Sequence, residues 1–200
     1  MRILLASGSP RRRELLAMLG VPFVVKPSEA DETFPPGTPP RDAVVLLARR
    51  KAEAVWRTLD EAERRDAVVL AADTLVAIDQ DALGKPRDAD HALAMLRRLQ
   101  GRTHAVYTGV CVRTAEAEEA AYAKTEVRMR RRDDAWLRAY VATGEPMDKA
   151  GAYAIQGYGS LLVEAIVGDY YNVVGLPLGL VDELFGRLGL SLFPTGPWQA

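Results

Sequence analysis

Cysteine is almost missing from this chain. Its one representative, Cys111, excludes an intrachain disulfide and suits a reducing compartment. Histidine is scarce too. His91 falls in a polar stretch of helix and His104 in a turn, and neither has a companion at metal-ligand spacing. With no histidine near it in sequence, Cys111 also lacks the base that a cysteine nucleophile needs. No apolar run approaches the ~18–20 residues of a membrane span. The start of the chain, with one charge and a short apolar run, is too brief for a signal peptide. Neither sign of charge dominates: the net charge is −1 over 200 residues. General nucleic-acid or membrane-surface binding is therefore excluded, and any anion site must be local. The basic run Arg128, Arg130, Arg131 and Arg132 has no interleaved aromatics and meets two aspartates at once, so it reads as a solvated strand end. There is no G-x-x-x-x-G-K-[ST] loop, no G-x-G-x-x-G after a strand, and no repeat or low-complexity segment.

What is present is an ordinary globular composition, 48% hydrophobic and 26% charged. The length predicts a single domain over 1–200, arranged as two lobes, with a sizeable core. Short apolar runs predict strands over 3–5, 21–26, 67–72 (continuing to 78) and 161–167. Alternating runs over 105–113 and 121–130 predict an antiparallel pair joined by an acidic turn, with Cys111 as a small core residue. Helical stripes predict helices from Pro10, over 41–63, from an Asp88 cap to Gln100, from Asp133 or Asp134 to about Thr143, and a closing helix that includes 182–188. Residues 79–81 read as a turn, 145–159 as a functional loop, and 191–200 as a surface tail. Parallel-type and hairpin-type connections together predict an α/β fold, a mixed, twisted sheet flanked by helices.

The most informative stretch is Ser7-Gly8-Ser9-Pro10-Arg11-Arg12-Arg13-Glu14. It reads as strand, small-residue loop, then helix, with Ser9 as N-cap and Pro10 at the first helical position. Three arginines in a first helical turn oppose the helix dipole, at about 0.3–1 kcal/mol each. A solvated basic turn is one reading; a bound polyanion, which reverses the sign, is the other. The Ser-Gly-Ser loop favours the second, because free N–H groups at a helix N-terminus suit phosphate oxygens.

Further along, Lys51 falls in the middle of the apolar stripe Val44, Leu47, Ala48, Val55, Leu59, where a cation needs an anionic partner or must snorkel to the edge. Asp73 ends the apolar run 67–72, the end of a strand being where ligands gather in open α/β sheets. Glu32 closes an acidic loop, and Lys85 sits in Gly84-Lys85-Pro86-Arg87. Several cations and two carboxylates converging on one cleft is what phosphoanhydride hydrolysis requires. The cations hold phosphates, and the carboxylates hold a divalent metal or orient water.

These residues carry a resemblance. Ser7-Gly8-Ser9-Pro10-Arg11-Arg12, Ala48-Arg49-Arg50-Lys51-Ala52, Ala72-Asp73-Thr74, Lys85-Pro86-Arg87-Asp88, Asp148-Lys149-Ala150-Gly151-Ala152-Tyr153 and Val174-Gly175-Leu176-Pro177-Leu178 resemble, in order, the motifs of the Maf family. The resemblance implies a two-lobed, Maf/ITPase-like fold around a central cleft. It also implies a cytoplasmic nucleoside triphosphate pyrophosphatase that uses Mg²⁺ or Mn²⁺ and often forms homodimers. Such enzymes are linked to house-cleaning of modified nucleotides and to arrest of septum formation. By position, Asp73 would be the proton acceptor, with Glu32 and Lys85 beside it and Asp73 and Glu32 at the metal. Ser7, Ser9, Arg11, Arg12, Lys51, Thr74 and Gln156 would bind substrate. Tyr153-Ala154-Ile155-Gln156-Gly157 resembles the branch that prefers dTTP and UTP, in which Arg12, Thr74 and Gln156 are tied to substrate choice. A glutamine amide offers a donor and an acceptor, matching the O4 and N3–H edge of uracil or thymine. A loop glutamine bonded to backbone is the plainer alternative. Asp169 stands where related sequences commonly carry Ser. Two rival expectations are a pyrophosphatase for 7-methyl-GTP and a non-catalytic nucleotide-binding regulator of septation.

Overall fold

The computed structural model describes residues 1–79 and 81–193. Seven strands make one mixed sheet: β1 (Arg2–Leu5), β2 (Phe23–Val25), β3 (Ala67–Ile78), β4 (Asp81–Leu83), β5 (Thr103–Arg113), β6 (Glu118–Met129) and β7 (Val163–Val167). Their order is β2-β1-β3-β5-β6-β7, with β4 paired to β3 off that path. β1 runs parallel to β2 and β3, and every other pairing is antiparallel. The helices are α1 (Pro10–Ala17), α2 (Pro40–Arg57), α3 (Glu61–Arg64), α4 (Ala89–Leu99), α5 (Asp134–Ala142), α6 (Tyr170–Val174) and α7 (Leu178–Arg187). The α/β class and the mixed, helix-flanked sheet read from the sequence are observed.

β3 organises the sheet. On one edge it pairs with β1 through Ala67 to Leu70 and with β4 through Val76 to Ile78. Between them, Ala71 to Leu75 keep β5 on the other edge only. Because side chains alternate along a strand, Val69 and Ala71 pack against Ala48, Ala52 and Val55 of α2 on one face. On the other face, Val68, Leu70 and Ala72 pack with Leu16 of α1 and Phe185 of α7. Farther along that same face, Val76 and Ile78 meet Leu96 and Leu99 of α4 and Leu137 of α5. Each fully buried leucine there contributes roughly 2 kcal/mol of apolar burial. Two separate clusters thus share one face, and Thr74 falls between them.

α2 lies unusually close to the sheet. A Cβ on Gly109, which faces Asp73 in the β3–β5 register, would come within 2.2 Å of the Val44 carbonyl oxygen. Only glycine admits that approach. Val44, Leu47, Ala48, Val55 and Leu59 are all buried, so the stripe predicted from spacing is the one α2 presents to the sheet.

Several elements differ from expectation. The helix predicted over 41–63 stops at Arg57 and restarts as α3, because Asp60 and Glu63 form a reciprocal capping box. The Ser9 side chain makes no cap bond. Asp81, placed in a turn, begins β4, and His104, also placed in a turn, lies in β5. Asp73 does not end its strand; it lies three residues past Leu70, where pairing with the neighbour β1 stops. α6 is an element that no apolar periodicity announced, and α7 is the closing helix expected around 182–188, running from Leu178 to Arg187. Of the tail predicted over 191–200, Leu192 is buried in the α1–α7 cluster, and 194–200 lie outside the described residues. No helix among the described residues is long and apolar enough to cross a membrane.

Candidate active site

A cleft of about 610 Å³ opens where β3 loses its neighbour. Ser7, Ser9, Arg11, Arg12, Glu32, Lys51, Asp73, Thr74, Lys85 and Gln156 all border it. Segments from residue 7 to residue 156 therefore converge on one cavity. Together with Asp148 and Lys149, its walls carry five cations and three carboxylates. On a chain of net charge −1 this is a local excess of positive charge.

The floor is an ion-pair cluster. α2 delivers Lys51, which is 8% exposed, to Asp73 on the same face of the sheet. Its Nζ donates to Asp73 Oδ1 at 2.5 Å and pairs with Glu32 Oε1 at 2.7 Å. The ammonium holds the Glu32 carboxyl below the usual carboxylate range, with Lys85 and Arg12 adding to the effect. The stripe lysine has found its anionic partners. Asp73 Oδ2 has no protein partner among the described residues, which leaves it free to accept a proton.

Arg12 enters from α1 and lies on the opposite face. Its Nε donates to the Gly175 carbonyl at 2.7 Å, Nη2 to Thr74 Oγ1 at 3.0 Å, and Nη1 to Ser7 Oγ at 3.4 Å. Burial lowers its pKa, and nearby Asp73 pulls it back up. Ser7 Oγ also accepts the Ser9 N–H at 3.2 Å. With both lone pairs taken, the Ser7 hydroxyl proton is left for the cleft. The α1 N-terminus, uncapped by Ser9, keeps first-turn N–H groups for the same ligand.

Arg11 is held differently. Its Nη1 pairs with Asp148 Oδ2 at 2.9 Å, across the mouth of the cleft, and Lys149 takes Asp148 Oδ1 at 2.7 Å. Arg13 is exposed and does not border the cleft. Lys85 is exposed at the rim. Gln156 is exposed too, and its side chain makes no capping bond to backbone. Its loop is clamped from behind: Glu145 accepts the N–H groups of Tyr158 and Gly159 and the Tyr140 hydroxyl, while Tyr140 Oη accepts the Ala154 N–H.

Sequence reasoning assigned no role to Asp148, Glu145, Thr108 or Asn172. Asp148 stood inside a recognised motif and was legible there as a charge. Thr108 and Asn172 carried no signal at all, being single polar residues in otherwise unremarkable segments.

No group of three or more His, Cys, Asp or Glu able to hold a metal occurs among the described residues. Two carboxylates within reach of one ammonium nevertheless fit a hard cation. Mg²⁺ commonly takes one or two carboxylates and fills its remaining positions with water and substrate phosphates.

Comparison with known proteins places these features in a wider set. The family model described as Maf-like protein matches residues 2–188. A dTTP/UTP pyrophosphatase of Anaeromyxobacter dehalogenans (strain 2CP-1 / ATCC BAA-258) is 51% identical over 99% of this chain and 97% of its own length. One of Salinibacter ruber is 54% identical over 88% of this chain and 85% of its own. Among solved structures, the Staphylococcus aureus Ham1 protein aligns with a TM-score of 0.47 and 12% identity, covering 80% of this chain and 78% of that one.

Proposed function

The chain belongs to the Maf family, and on that premise we propose that it is a dTTP/UTP pyrophosphatase, hydrolysing the nucleoside triphosphate to the monophosphate and pyrophosphate. The observation that carries this reading is the Glu32–Lys51–Asp73 cluster at the floor of a cationic cleft. Relatives at 51–54% identity bear that name over nearly their whole length.

In this reading Asp73 Oδ2 takes the proton of the water that attacks the α-phosphorus. Lys51 orients the carboxylate through Oδ1, leaving Oδ2 turned to the water. Arg12, Lys85 and the α1 N-terminus hold the departing pyrophosphate and offset its growing charge. Ser7 gives its hydroxyl proton to a phosphate oxygen, with Ser9 beside it. Arg11 exchanges Asp148 for phosphate when substrate enters. Asp73 and Glu32 would hold a divalent cation, Mg²⁺ or Mn²⁺, which polarises the phosphates it binds and shields their charge. Gln156, whose side chain makes no capping bond to backbone, meets the oxygen at C4 of the pyrimidine with its amide NH₂. The proposal extends to a cytoplasmic homodimer, in line with the family resemblance and with the single buried Cys111.

The test is pyrophosphate release from UTP, dTTP, CTP, GTP and 7-methyl-GTP, with and without Mg²⁺ or Mn²⁺. UTP and dTTP should lead the panel. Preference for 7-methyl-GTP would move the chain to the rival branch, and no release from any nucleotide would leave a binding protein.

A further inference from the structure

Thr74 and Thr108 face each other across β3 and β5, and their hydroxyl oxygens lie 2.9 Å apart. Either could donate when the pair is viewed alone. Thr108 settles the direction. It is fully buried, and its Oγ1 lies 3.0 Å from the Asn172 carbonyl oxygen. A carbonyl has no proton to give, and a hydroxyl has one. The Thr108 proton must therefore go to Asn172, since two buried oxygens left facing each other at that distance would forfeit a hydrogen bond's worth of desolvation. Thr108 then has only lone pairs to offer Thr74, so Thr74 donates to Thr108.

The consequence lies on the other side of Thr74. Its only proton is committed inward, and its oxygen accepts from Arg12 Nη2 at 3.0 Å. Towards the cleft Thr74 is an acceptor and nothing else. The carbonyl that terminates the relay is itself anchored. Asn172 Nδ2 donates to the Val106 carbonyl at 3.1 Å and to Thr125 Oγ1 at 2.9 Å, and Thr125 passes its own proton to the Asp169 carbonyl.

We infer that Thr108, outside the cleft, is a positioning residue that sets Thr74 as an obligate acceptor, and so favours a ligand presenting an N–H there. Uracil and thymine carry such a donor at N3, whereas cytosine presents a bare lone pair at the same place. This inference rests on the pyrimidine nucleotide reading and deepens it. Gln156 can match either base by turning its amide. The Thr108–Thr74 relay cannot turn, because a backbone carbonyl stands at its end.

The experiment compares Thr108→Val, which keeps the shape and removes the hydroxyl, with Thr108→Ser, which restores it. In Thr108→Val the Thr74 proton is free to point into the cleft. The kcat/KM preference for UTP over CTP should fall about fivefold or more, mostly through KM, with kcat for UTP within about twofold of wild type. Thr108→Ser should keep the wild-type preference. A folded Thr108→Val with unchanged preference overturns the inference, and so does an equal loss in both variants. If Thr108→Val does not fold, Thr108→Ala takes its place against Thr108→Ser. Affinities for UMP and CMP, from titration calorimetry, read the same relay without turnover. A wild type that favours UMP but releases no pyrophosphate would overturn the pyrophosphatase reading and leave the relay scored by binding alone.

Discussion

The Lys51 ammonium sits 2.5 Å from Asp73 Oδ1, so each of these two buried side chains has a partner of opposite charge. Both side chains are 11% exposed, and Glu32 completes the cluster at 2.7 Å. Asp73→Asn keeps the shape but removes the proton acceptor, so kcat for UTP should drop by about 10²–10⁴ while substrate affinity changes little. Lys51→Met is the complementary variant. It removes the cation that holds the Glu32 carboxyl below the usual carboxylate range, so the Glu32 pKa should rise. The acidic limb of the pH–rate profile should move to higher pH, and stability should fall by roughly 3–5 kcal/mol, as for other buried pairs that lose one partner. Steady-state kinetics across pH 5–9 and urea unfolding check both.

Gly109 links packing to that pair. It lies opposite Asp73 in the sheet, and α2 passes so near that a Cβ would meet the Val44 carbonyl at 2.2 Å. Lys51 rides on the same helix, about two turns farther along. Gly109→Ala should push α2 outward, costing about 1–3 kcal/mol of stability as other overpacked cores do. It should also lower kcat/KM more than that stability loss explains. A thermal unfolding curve and a rate measured well below the transition separate the two effects. Wild-type activity in a destabilised variant would mean that the helix position does not control the ion pair.

Much of this site was legible in the sequence, for a definite reason. Lys51 interrupts an apolar stripe, three arginines oppose a helix dipole, and Asp73 interrupts an apolar strand; each breaks a local rule. Rules broken locally can be seen locally. Thr108 breaks none, because threonine is at home in a strand. Its role comes from the β3–β5 register and from a carbonyl 64 residues away. The capping box at Asp60–Glu63 was written in the sequence, but the apolar periodicity running across it masked the break. α6 is only five residues long and is held by the Asp169 cap and by Asn172, too short for any periodicity to announce.

Gln156 reads the base in the proposed function only if its loop holds still, and Glu145 holds it. Gln156→Ala should cost UTP and dTTP turnover roughly 1–3 kcal/mol in kcat/KM, with a smaller effect on other nucleotides. Glu145→Gln should act on the same quantity indirectly. Its new NH₂ group would face one of the donors that the carboxylate now accepts, those of Tyr158, Gly159 or Tyr140. KM for UTP should rise, and the loop around 154–159 should become more open to limited proteolysis. A rise in KM with no change in cleavage would place the clamp's effect on substrate directly and not on loop order.

His104 gives the fold a dependence on pH that is separate from the site. Its Nε2 lies 2.7 Å from the Tyr153 hydroxyl, its Nδ1 has no partner, and burial lowers its pKa from 6.5 to about 4. Burial also pushes the Tyr153 hydroxyl up, so of this pair only the histidine titrates in the acid range. The folded chain keeps His104 neutral, whereas the unfolded chain takes up a proton below its ordinary pKa. Stability is therefore complete above about pH 6.5 and declines as pH falls towards 4, by about 3 kcal/mol from this residue alone. His104→Gln can still meet Tyr153 and does not titrate. Urea unfolding at half-unit steps from pH 7 to 4 should show the wild type losing stability more steeply than the variant, by the equivalent of one proton. Parallel slopes would mean that the ring is reached by water and carries its charge in the fold.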